Sequence, residues 1–194
     1  MSREIVLGIT GASGAIYGVR LANLLAQAGV NVHVVATPYG KQVIHEELGI
    51  SKLSDTALSP EYFDRLTLYS HLELGARISS GSFRTDGMVI CPCSANTLAA
   101  VSAGLADNLV TRAAAVTLKE GRKLILVPRE MPLHTIELEN LLRLSRCGAI
   151  ICPACPGFYN KPQSIDELVD FVCGRILDLL QVPHELAIRW NPGE

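Results

Sequence analysis

Read for hydrophobic and polar positions, the chain alternates between two kinds of segment. Short runs that are apolar almost throughout recur along it: EIVLGI (4–9), VNVHVVA (30–36), GMVICP (87–92), KLILVP (123–128) and AIICP (149–153). Between them lie segments with the helical period, at Ile16–Ala28, Lys41–Leu48, Ser94–Ala103, Asn108–Lys119, Ile136–Arg146 and Ile165–Leu180. Strands without a polar face, separated by helices, predict a parallel sheet covered on both sides. Ser164-Ile165-Asp166-Glu167 is a capping-box sequence that opens the last helix. No repeat, linker or low-complexity tract divides the chain, so residues 1–194 read as a single domain. The predicted fold is a three-layer doubly wound α/β domain with a mainly parallel sheet of Rossmann or flavodoxin type. Its ligands are expected at the carboxyl ends of the strands.

Composition narrows the function classes. Apolar residues make up 48% of the 194 and charged residues 19%, an excess that suits an oligomer hiding part of its surface in subunit contacts. A net charge of −2 gives no reason to expect a nucleic-acid or membrane-surface partner. The uncharged run from Gly87 to Ala106 is interrupted by Pro92, Ser94, Asn96, Ser102 and Gly104, so it reads as a buried strand and a small-residue helix. With no secretory signal legible, a cytoplasmic protein with reduced cysteines is expected.

The loop GITGASGA, Gly8 to Ala15, joins the first strand to the first helix. Glycines at such a junction let a backbone approach a phosphate. An ATP-type loop needs Gly-Lys-Ser/Thr, but here Gly14 is followed by Ala15 and Ile16. A dinucleotide loop needs closer glycines and an acid at the end of the second strand, where this chain has Ala36-Thr37. No tyrosine has a lysine four residues later, which removes the short-chain dehydrogenase pattern. Two readings stay open: a mononucleotide site with Ser13 and Thr37 as hydroxyl donors, or a plain tight turn.

Further blocks follow in order: SSGSF (79–83), GMVICPCSANTLA (87–99), DNLVTRAAAVTLKE (107–120), LVPREMPLH (126–134) and GFYNKPQS (157–164). Together with TGASGAIYG they resemble the flavin prenyltransferase family, the UbiX-type enzymes once called aromatic acid decarboxylase subunits. The resemblance spans nearly the whole chain. It implies an FMN site on Gly11, Ala12, Ser13, Thr37, Cys93, Ser94, Ala95, Asn96 and Arg129. Thr37 stands where many relatives carry serine and keeps the hydroxyl; Asn96 falls at a variable position.

The resemblance also implies a reaction. Such enzymes join the dimethylallyl group of dimethylallyl monophosphate to N5 and C6 of reduced FMN, without a metal. The resulting prenylated FMN serves a UbiD-type decarboxylase. The positions implied for the leaving phosphate are Arg112, Lys119, Arg129, Arg175 and Tyr159, gathered across a subunit boundary of a homo-oligomer, a dodecamer in the family. Ser13, Glu47, Lys119 and Glu130 fall on catalytic positions. Tyr159 and Trp190 offer π faces to a developing allyl cation. Arginine suits a phosphate because its planar fork donates two parallel bonds.

Cys152-Pro-Ala-Cys155 has the spacing of redox and zinc sites, and Cys91 and Cys93 end another strand. No helix starts at this pair to lower its pKa, so buried structural thiols are the favoured reading. His33, His45, His71, His134 and His184 show no ligand spacing. Two alternatives accompany the prenyltransferase reading. An FMN-dependent cysteine decarboxylase would use His45 as base but lacks its asparagine- and methionine-rich clamp here. An FMN carrier would leave the cations without work.

Overall fold

The computed structural model describes residues 3–53 and 60–186. At its centre lies β1 (Glu4–Ile9), between β2 (Asn31–Ala36) and β4 (Gly87–Cys93). β3 (Leu66–Tyr69) lies outside β2, while β5 (Leu124–Pro128) and β6 (Ile150–Ile151) continue outside β4. Every neighbouring pair is parallel. The order β3-β2-β1-β4-β5-β6 reverses direction between β1 and β4. In open α/β sheets that reversal leaves a crevice at the carboxyl edge, because the following loops diverge to opposite faces.

Two cores follow from the alternation of side chains along the strands. Ile5, Leu7, Ile9, Val32 and Val34 face one core, with α1 (Ala15–Gln27), α2 (Pro38–Leu48) and α6 (Ile165–Leu180). Val6, Val35, Met88 and Ile90 face the other, with α3 (Ala95–Ser102), α4 (Leu109–Lys119) and α5 (Thr135–Arg146). A two-pronged ion pair from Arg20 to Asp170, at 2.7 and 2.9 Å, ties α1 to α6. Among the described residues, no helix is long and apolar enough to cross a membrane.

The structure refines the predicted elements. β3 is absent from the predicted runs because LTLY is a short edge strand behind a charged segment. β6 keeps only Ile150–Ile151 of the fifth run, although Cys152 N still donates to Leu126 O at 2.8 Å. α2 starts at Pro38 rather than Lys41: proline fits the first helical position, and Thr37 caps it. The Ser164 box is only half formed. Ser164 Oγ receives Glu167 N, but the Glu167 carboxylate receives Gln163 N, at 2.8 Å.

Candidate active site

β1 delivers the glycine loop to the crevice. Thr10, 1% exposed, fastens its base: Oγ1 donates to Pro92 O and receives Ser94 N, both at 2.8 Å. Those bonds join the ends of β1 and β4 across the reversal. Gly14 adopts φ 98°, a left-handed conformation that turns the chain into α1. Gly11 lies against α2, where a Cβ would come 2.5 Å from Tyr39 Cβ. Ala12 is buried beside it.

The amides that open α1 are not left for a phosphate. Glu47, near the end of α2, receives Gly14 N at 2.9 Å and Ala15 N at 2.8 Å through Oε2, with Oε1 3.1 Å from Gly14 N. The carboxylate sits in the anion seat that a helix N-terminus provides. The contact holds Ser13 and the glycine loop against a side-chain anion.

Other donors line the same edge. Thr37 Oγ1 receives Gly40 N at 3.0 Å, which leaves its own proton to donate. Ser94 caps α3, receiving Thr97 N at 3.3 Å and donating to Thr97 Oγ1 at 3.1 Å. Ala95 and Asn96 form the first turn of α3. Arg129 follows β5, and its Nε donates to Ser13 O at 3.1 Å. The adjacent Glu130 receives Met131 N at 3.3 Å. Ser13, Glu47, Thr37, Ser94 and Arg129 are thus assembled at the carboxyl ends of β1, β2, β4 and β5.

The remaining cations are not gathered by one chain. Arg112 and Lys119 lie on α4, two helical turns apart. Arg175 lies on α6, across the sheet, with Nη1 3.0 Å from Asp178 Oδ2. Tyr159 packs edge-on against Phe171, ring centroids 5.6 Å apart. Trp190 lies outside the described residues.

Cys91, Cys93 and Cys173 are buried, but the buried reading fails for the Cys152/Cys155 pair: it lies in the loop after β6, where Cys152 is half-buried and Cys155 exposed. Burial pushes the Cys91 thiol well up, Cys93 to about 12, and Cys173 and Cys152 upward as well. Such thiols are inert at neutral pH. Among the described residues no group of three or more His, Cys, Asp or Glu side chains is placed to hold a metal ion. His45 stands exposed near the end of α2. Sequence reasoning missed Thr10, because its role depends on bonds to Pro92 and Ser94, distant in the chain.

The donor set fits FMN: hydroxyls at Ser13 and Thr37, the first turn of α3 that Ser94 caps, a guanidinium at Arg129, and a loop brought close to α2 by Gly11. Comparison with known proteins points the same way. Residues 1–177 match the family model described as Flavoprotein. The chain is similar to the flavin prenyltransferase UbiX of Alkalihalophilus pseudofirmus, 47% identical over 98% of each chain. It is similar in structure to AnUbiX (PadA1) in complex with FMN and dimethylallyl pyrophosphate, with a TM-score of 0.89, 38% identity and 100% of each chain covered. It is also similar to a dodecameric FMN-dependent UbiX-like decarboxylase from Escherichia coli O157:H7, with a TM-score of 0.88, 45% identity, and 97% of this chain and 99% of the other covered.

Proposed function

The chain belongs to the flavoprotein family and, within it, to the UbiX-type flavin prenyltransferases; from that premise we propose how its own residues perform the reaction. The enzyme is a prenyltransferase that uses FMN. Reduced FMN supplies N5 and C6 as the atoms that take the dimethylallyl group. In our reading the donor is dimethylallyl monophosphate: its allylic C–O bond breaks as the allyl carbon bonds to N5, phosphate departs and the N5 proton is released. The remaining alkene then takes up a proton, its tertiary carbon bonds to C6, and the C6 proton is lost.

Ser13, Thr37, the first turn of α3 at Ser94–Asn96, and Arg129 hold the flavin. The seat at Gly14 and Ala15 is taken by Glu47, so the flavin phosphate is assigned to the other donors at this edge. Arg129 holds the glycine loop through Ser13 O and keeps its Nη groups for an anion. Glu47 stands one residue from Ser13, and the two form the relay that accepts the C6 proton. Arg112, Lys119, Arg129 and Arg175 stabilise the negative charge that grows on the leaving phosphate, with Tyr159 as hydroxyl donor. Glu130 exchanges a proton with that phosphate.

The α4 and α6 cations lie on opposite faces of one chain, which supports a phosphate pocket completed by a neighbouring copy. The exposed apolar side chains of Ile136, Leu138 and Leu142 on α5 support assembly. We propose a dodecamer, the state described for the Escherichia coli relative. Delivery of prenylated FMN to a UbiD-type decarboxylase and a cytoplasmic location complete the proposal, and the latter fits the buried thiols.

The observation that carries this reading is the assembly of Ser13, Glu47, Thr37, Ser94 and Arg129 at one crevice. Equilibrium dialysis with FMN and NAD tests it. FMN retention that is weakened by Arg129→Ala is expected; NAD retention without FMN retention would overturn it.

A further inference from the structure

Residues 79–85, between β3 and β4, carry the SSGSF motif and run beside α4. α4 ends in a Schellman turn: Gly121 N donates to Leu118 O at 3.0 Å and Arg122 N to Thr117 O at 2.9 Å. From that fixed backbone the Arg122 side chain, 16% exposed, reaches back to the loop. Nη2 donates to Gly81 O at 2.6 Å, and Nη1 donates to Phe83 O at 2.8 Å and contacts Thr85 Oγ1 at 3.4 Å. One guanidinium therefore clamps three alternate residues of the strap. Nothing in the reaction as described above uses Arg122.

The strap in turn holds one of the phosphate cations. Arg112 Nε donates to Ser79 O at 3.1 Å. With Nε committed, the end of the guanidinium fork is left for a two-pronged contact with an anion. Lys119 joins the same network through Glu120, whose carboxylate lies 3.6 Å from Lys119 Nζ and 4.0 Å from Arg122 Nη2.

We propose that Arg122 is a positioning residue: by fixing the 79–85 strap it makes the Ser79 carbonyl hold Arg112 in the orientation that grips the phosphate of dimethylallyl monophosphate. The proposal rests on the phosphate role of Arg112. Arg122 acts through Arg112, so removing Arg122 costs nothing further once Arg112 is gone.

A double-mutant cycle tests this coupling. The FMN-loaded oligomers of wild type, Arg122→Ala, Arg112→Ala and the double variant are dialysed against radiolabelled dimethylallyl monophosphate, with FMN affinity measured alongside. Arg122→Ala is expected to weaken donor binding about tenfold, the scale of one lost charge-assisted contact, and to leave FMN affinity unchanged. The double variant is expected to bind no more weakly than Arg112→Ala. If light scattering shows that Arg122→Ala does not assemble, Arg122→Lys replaces it in the cycle, because lysine reaches only one strap carbonyl. Losses that multiply in the double variant, or wild-type affinity in the Arg122 variants beside a weakened Arg112→Ala, would overturn the positioning role alone. Wild-type affinity in Arg112→Ala would overturn the phosphate role of Arg112 and the proposal with it.

Discussion

The carboxylate of Glu47 lies 2.8 Å from the backbone nitrogen of Ala15, and that contact joins the last turn of α2 to the first turn of α1. The charge favours the positive end of the α1 dipole. It also fixes the acid beside Ser13. A side chain thus serves both as a helix cap and as the acceptor nearest the glycine loop.

Two substitutions separate those roles. Glu47→Gln keeps an oxygen that can receive both amides, since Oε2 alone already does so. Losing only the charge at the α1 dipole, it is expected to melt less far below wild type than Glu47→Ala does, while ring closure at C6 slows by about a hundredfold or more, because an amide takes up no proton. Glu47→Ala also loses the cap and is expected to melt about 2–4 °C lower, for about 1 kcal/mol. Wild-type ring closure in Glu47→Gln would remove Glu47 from the proton relay.

His33, 2% exposed, places Nε2 2.7 Å from Glu4 Oε2 and Nδ1 3.0 Å from the Tyr69 hydroxyl. These partners fit a neutral ring that donates to Glu4 and accepts from Tyr69. Burial lowers its pKa below 6.5; the Glu4 hydrogen bond and charge oppose this, and Arg77 adds to the lowering. Below pH 6.5 the unfolded chain therefore holds more protons than the folded one, and stability falls with pH until the folded ring titrates. The urea midpoint is expected to be lower at about pH 5.5 than at about pH 7.5, with a smaller difference in His33→Gln. An equal difference in that variant would assign the effect to other groups.

Thiol reactivity should divide by burial. Cys147 and Cys155 are exposed, whereas Cys91, Cys93 and Cys173 are buried. With its pKa at about 12, Cys93 is thiolate in only about one molecule in ten thousand at pH 8. Maleimide labelling followed by peptide mapping is expected to find Cys147 and Cys155 first, and the buried three only after unfolding. Prompt labelling of Cys93 in the folded protein would contradict the buried-thiol reading.

Much of this was legible in the sequence. Continuous apolar runs gave away the strands, and the hydroxyl or arginine after each run marked the crevice: Thr37 after β2, Ser94 after β4, Arg129 after β5. β3 was hidden because an edge strand needs no long apolar run. The Glu47 contact was hidden for another reason: it spans 32 residues, and no local pattern tells a capping carboxylate from a surface one. Arg122 was likewise unreadable, since its role depends on Gly81 and Phe83 carbonyls 41 and 39 residues away.

Arg175 offers a test of the leaving-group pocket that spares the flavin site. Its Nη1 donates to Asp178 Oδ2 at 3.0 Å within α6, and no contact of the glycine loop described above uses Arg175. Arg175→Ala is expected to lower transfer tenfold to a hundredfold, from about 1.5–3 kcal/mol for a charge-assisted bond, with FMN affinity kept. Arg175→Lys should recover part of that loss, since a point charge lacks the two-pronged fork. Unchanged transfer in Arg175→Ala at subsaturating dimethylallyl monophosphate would place the phosphate elsewhere.

The most direct measurement is the mass of the flavin itself. The purified protein is mixed under anaerobic conditions with reduced FMN and dimethylallyl monophosphate, and the released flavin is weighed by mass spectrometry as free phosphate is assayed. A flavin heavier by one five-carbon isoprenoid unit, with one phosphate freed per flavin, is the expected result. FMN of unchanged mass, from protein shown to have bound both compounds, would contradict the assignment of this crevice to flavin prenylation.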